Sequence, residues 1–97
     1  MSRPSDEYYG DLESRLRSLV ASAGTLVEDQ YVDQVEEFID HGEYGVALSA
    51  LAELLVETGV LIPDGDRIEI IDLATTMGIF GELPARLRID PGSVEQT

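Results

Sequence analysis

Residues 35–55, VEEFIDHGEYGVALSALAELL, constrain the fold more than any other stretch of the chain. Val35, Phe38 and Ile39 recur at helical spacing before His41-Gly42, and Ala47, Leu48, Leu51, Leu54 and Leu55 recur at helical spacing after it. Apolar residues at i, i+3, i+4 and i+7 give a helix one stripe that must be buried. Only about two residues separate the two periods, so the helices are expected as antiparallel neighbours packed stripe to stripe. Gly42 suits the left-handed residue that ends a helix, having no Cβ to clash. Asp40 and Glu43 have capping-box spacing and could start the second helix within the turn.

The flanking segments carry the same periodicity. Tyr8, Leu12, Leu16, Leu19, Val20 and Ala23 predict a helix over 6–23, capped by Ser5 or Asp6 and ended by Gly24. Residues 1–5 read as frayed. Thr25 and Glu28 match a capping box, predicting a second helix over 26–40. Its buried face is Val27, Tyr31, Val32, Val35, Phe38 and Ile39. The third helix is expected over 43–58, stopping at Gly59. Gly45 in its first turn suggests close approach of another backbone. Val60, Leu61 and Ile62 read as an apolar connector tucked under the bundle.

Pro63-Asp64-Gly65-Asp66 is turn chemistry and a helix start, and Asp66 with Glu69 repeats the capping-box spacing. A fourth helix over 65–77 would bury Ile70, Ile71, Leu73, Ala74 and Met77. Residues 67–70 also alternate as a strand would, but the pattern extends at 3.6-residue spacing and no partner strand is visible. Residues 79–89, IFGELPARLRI, are broken by glycine and proline and allow a short helix or turn. Arg86 and Arg88 give this end a local positive patch. The expectation is an all-α fold, a small antiparallel four-helix bundle built on the central hairpin. It comprises a single helical domain over 1–89 and a disordered tail over 90–97.

Ninety-seven residues leave no room for a second core. An apolar fraction of 43% is ordinary for a globular chain. The charge is not: 20 acids face 6 bases, for a net charge of −14 and a pI near 4.1. Such a surface repels the phosphates of nucleic acid and anionic membranes. It steers toward a basic partner. An acidic host proteome would acidify the chain equally. There is no cysteine, hence no disulfide or thiol chemistry. The first ten residues lack the apolar core of a signal peptide. The longest apolar stretch, 46–62, is interrupted by Ser49, Glu53 and Glu57 and is too short and charged to span a bilayer. A cytoplasmic location is expected.

At 100° per residue, Asp29, Asp33, Glu36, Glu37 and Asp40 fall on the face of the second helix opposite its buried one. That is a continuous acidic stripe without a base. Charge runs are usually solvated faces, but solvent faces normally mix signs. These five acids, with Glu43 and Tyr44 at the edge, are the candidate partner-binding residues. Tyr44 also reads as core. His41 is the one histidine, near a helix C-terminus where its charged form is favoured.

Enzymatic chemistry finds no support. A single histidine has no positioned nucleophile motif beside it. Asp64-Gly65-Asp66 lacks the rest of a calcium loop. Phosphate loops and zinc ligand clusters are absent. No catalytic residue, metal or cofactor is expected.

The stretch Ile39-Asp40-His41-Gly42-Glu43-Tyr44-Gly45-Val46-Ala47-Leu48, followed by Leu51 and Leu54, resembles the MafI family of bacterial immunity proteins. The likeness continues more weakly from Leu61 to Met77 and covers about half the chain. These are small cytoplasmic helical proteins, usually encoded beside secreted polymorphic toxins, that protect the producing cell. The resemblance implies neutralisation of a cognate toxin by binding, with nucleases common among such toxins. A nuclease site is basic because it holds phosphate, and an acidic helix face could cover it. Gly-x-x-x-x-Ala-Leu also occurs in helical hairpins of tetratricopeptide type, so a small helical adaptor docking a peptide is the alternative. No 34-residue self-similarity accompanies it.

Overall fold

A computed structural model of the protein describes residues 4–88. The chain is all-α, a helical bundle with no strand among the described residues. Four longer helices follow one another: α1 (Pro4–Ala23), α2 (Asp29–Asp40), α3 (Tyr44–Thr58) and α4 (Asp64–Thr76). Single 3-10 turns sit at Gly24–Leu26 and Phe80–Glu82, and a short α5 (Ala85–Arg88) closes the described chain. The tail expected over 90–97 lies outside the described residues, as do residues 1–3 of the segment expected to fray.

The central hairpin forms for the reasons its sequence suggests. Gly42 adopts φ 75°. Its N–H donates to the Ile39 carbonyl at 3.0 Å, and the Glu43 N–H donates to the Phe38 carbonyl at 2.9 Å. This is the Schellman pattern, which meets the orphan carbonyls of the last turn. Gly78 (φ 74°) repeats it at the end of α4, with Ile79 N–H donating to the Ala74 carbonyl at 2.8 Å. Between these stops, α3 is the most enclosed helix. Ala47, Leu48, Leu51, Ala52 and Leu55 have no exposed surface. It packs on α1, α2, α4 and α5, most extensively on α2. Leu12, Leu16 and Leu19 of α1, Val35 and Ile39 of α2, and Ile70 and Leu73 of α4 complete the core.

Several local expectations give way to tertiary contacts. The capping box at Thr25 is not used: Thr25 Oγ1 donates to the Ser22 carbonyl at 3.0 Å, and α2 starts three residues later with Glu28 as its cap. The residues between form a 3-10 turn, with Gly24 buried where an added Cβ would stand 3.2 Å from Val32 Cγ2. The chain turns back on itself there instead of opening a helix at once. The capping-box pairs Asp40/Glu43 and Asp66/Glu69 also form no side-chain caps. A Cβ added at Gly45 would meet the Ile79 Cδ1 tip at an ordinary 3.7 Å and no other backbone within 4 Å. Tyr8 and Tyr31, expected in buried stripes, are exposed at the rim. At 100° per residue, Tyr31 lies about 60° from the mid-line of Val35 and Ile39. In the extended connector, Val60 and Ile62 pack against the core while Leu61 is 92% exposed, because alternate side chains of extended backbone point to opposite sides.

Candidate partner-binding face

The acids of α2 are where the periodicity puts them. Asp29, Asp33, Glu36, Glu37 and Asp40 are all exposed, as is Glu43 in the turn. They share a face because Val35 and Ile39 anchor the other side of the helix to α3 and α1. The side chains of Asp29, Asp33, Glu36, Glu37 and Glu43 make no hydrogen bond or ion pair among the described residues. The charges of Asp29, Asp33 and Glu36 are left to solvent or to a partner.

Asp40 differs. Arg17 of α1 donates from Nη2 to Asp40 Oδ1 at 2.7 Å and from Nε to Glu13 Oε2 at 3.0 Å. Those hydrogen bonds, Asp40's first, push the guanidinium pKa up. The stripe is therefore not free of bases in three dimensions. At the same end, His41 Nδ1 lies 2.8 Å from the Glu37 carbonyl. That hydrogen bond, helped by the charges of Glu37, Glu43 and Asp40, raises the His41 pKa. The Arg17 guanidinium and the His41 ring both sit at the C-terminal end of α2, where the helix dipole disfavours carboxylates and favours positive charge.

Tyr44 is half-buried, neither core nor free anchor. Its hydroxyl donates to Glu13 Oε1 at 3.1 Å. Burial first, and that bond second, push its pKa up. Its ring lies 6.2 Å from that of Tyr9, which in turn meets Tyr8 edge-on at 5.3 Å. Tyr9 is 53% exposed. The face thus continues from α2 across Tyr44 onto α1, through Glu13, Arg17 and Tyr9. Sequence reasoning missed these three. The i,i+4 spacing of Glu13 and Arg17 and the doublet Tyr8-Tyr9 were the available signals, but their proximity to α3 is a tertiary fact.

The arrangement can attract and orient cations: carboxylates supply the field, and an exposed tyrosine ring accepts a guanidinium or ammonium on its face. No group of three or more His, Asp or Glu among the described residues is placed to hold a metal ion. Glu53, Glu57 and Glu82 line an open hollow of about 390 Å³ beside Val56 and Pro84. Among the described residues, no helix is long and apolar enough to cross a membrane. Comparison with family models, with curated proteins and with solved structures finds no match to this chain.

Proposed function

We propose that this is a cytoplasmic immunity protein that binds and neutralises a cognate bacterial polymorphic toxin, a nuclease-type domain with a basic surface. The observation that carries the reading is the run of exposed carboxylates on α2, Asp29, Asp33, Glu36 and Glu37, continued by Glu43, whose side chains make no hydrogen bond or salt bridge among the described residues. Leaving like charges together without partners destabilises an isolated helix, and a basic partner turns that cost into attraction. The resemblance of residues 39–54 to the MafI family supports the same reading. In this view the four longer helices form an antiparallel bundle whose central hairpin, α2 and α3, presents the acidic face as a rigid unit. The protein is not an enzyme and needs no cofactor. It does not bind nucleic acid or membrane.

The test begins with the chain purified from its native host together with whatever polypeptide it retains. Co-expression should rescue growth from that polypeptide's toxicity. The association rate should fall steeply as salt rises from about 0.05 to about 0.5 M, since screening shortens the reach of the field to under ~10 Å. An acidic partner, an on-rate indifferent to salt, or no protection of growth would each overturn the proposal.

A further inference from the structure

Arg67 and Arg86 stand apart from Arg15 and Arg17. Arg15 is tied to Glu69 and Asp72, and Arg17 to Glu13 and Asp40. The side chains of Arg67 and Arg86 make no ion pair or hydrogen bond among the described residues. Even Asp66, adjacent in sequence, accepts a hydrogen bond from Ser22 at 2.8 Å. Arg67 is half-buried, and its Nε is enclosed without a hydrogen-bond partner. An enclosed, unmet donor on a charged group is a standing cost to the fold; with Nε closed to solvent, an acceptor in the cleft would have to meet the Nη groups of the guanidinium.

Both arginines line one cleft of about 120 Å³, with Val60, Leu61, Ile62 and Leu87. It forms where the connector between α3 and α4 passes α5. One part of the lining is cationic and the rest is aliphatic. The space is small and open on one side, and suits a small ligand. The guanidinium fork matches an oxyanion, and the aliphatic lining matches a short hydrocarbon body.

We propose that this cleft binds a small organic carboxylate, its carboxylate held by Arg67 and Arg86 and its alkyl body lying on Val60, Ile62 and Leu87. The site is independent of the acidic face on α2. Inorganic phosphate shares the oxyanion chemistry but has nothing to place on the aliphatic wall.

The experiment is a nuclear magnetic resonance titration of the full chain with sodium butyrate. Sodium acetate, phosphate and chloride are run in parallel at matched ionic strength. Butyrate should shift the amides of 60–62, 67, 86 and 87 saturably, and chloride should not. Butyrate carries two more methylenes than acetate and should bind at least about fourfold tighter, the ratio for burying one of them, and tighter than phosphate. Arg86→Gln, at an exposed position, should weaken butyrate roughly tenfold while leaving α2 resonances in place. Arg67→Lys, which keeps the charge but loses the fork, should weaken it as well, whereas Arg17→Gln should not. Equal shifts with chloride, unchanged affinity in Arg86→Gln, or acetate or phosphate binding as tightly as butyrate would overturn the proposal.

Discussion

Arg17 on α1 holds Asp40 at the end of α2, Nη2 to Oδ1 at 2.7 Å, across 23 residues of sequence. The contact divides the acidic face. Asp40, at the C-terminal end where the dipole works against a carboxylate, has a cation. Asp29, Asp33 and Glu36 have none among the described residues, and Glu37 has only the His41 ring beside it. The unbalanced charge is therefore concentrated on the first three turns of α2.

Arg17→Gln should lower the melting temperature slightly, since both of its carboxylate partners are exposed or nearly so and surface pairs contribute little. It should also make the face more negative. Association with a basic partner should quicken at low salt, and the difference from wild type should vanish at high salt. Stopped-flow rates across a salt series check this.

Neutralising Asp33, Glu36 and Glu37 together, as Asp33→Asn, Glu36→Gln and Glu37→Gln, should leave the fold intact because all three are exposed. The melting temperature should hold or rise, through relief of like-charge i,i+4 pairs at about 0.2–0.5 kcal/mol each. Partner affinity should fall, by about 2–5 kcal/mol where a charge pair is buried in the complex and by less at the rim. Wild-type binding by this variant would leave the acidic stripe a solvated face.

Leu51→Ala should cost about 2–5 kcal/mol of stability, through lost transfer energy and a cavity in the middle of α3. Its effect on partner binding should track the unfolded fraction alone. Chemical denaturation with binding measured in parallel separates the two.

Two glycine substitutions should have opposite signs. Gly10 lies inside α1, exposed, and a Cβ added there would meet nothing within 4 Å, so Gly10→Ala should stabilise by about 0.5–1 kcal/mol. Gly24→Ala would press a methyl against Val32, whose branched side chain has little rotamer freedom. That substitution should destabilise by about 1 kcal/mol. Thermal melts of both variants provide the comparison.

His41 should give the fold a pH-dependent contribution. Its pKa is raised in the folded state, chiefly by the hydrogen bond to the Glu37 carbonyl. The stabilisation is then complete below the unfolded histidine value of about 6.5 and disappears as pH rises through the folded value. His41→Gln should therefore lower stability at about pH 5.5 and have little effect at about pH 8.5. Denaturation midpoints at the two pH values test the sign.

The helices and their stops were legible from the residues alone. Gly42, Gly59 and Gly78 all adopt positive φ, a conformation glycine enters without penalty, and each stands where a helical apolar period ends. The stripe of α3 and the acidic side of α2 follow from 100° per residue, a purely local rule. Tertiary structure decided whatever depends on residues distant in sequence. A 3-10 turn packed at Gly24 stands where the capping box at Thr25 would have opened α2. The rims of α1 and α2 left Tyr8 and Tyr31 outside stripes that included them. The stripe on α2 acquired a base only when α1 laid Arg17 beside Asp40, and Tyr44 joined Glu13 and Tyr9 the same way. Local periodicity determines which side of a helix is apolar, because backbone geometry sets it. Which charges are neutralised and which stay unpaired depends on long side chains meeting across helices, and only the packed bundle brings them within reach.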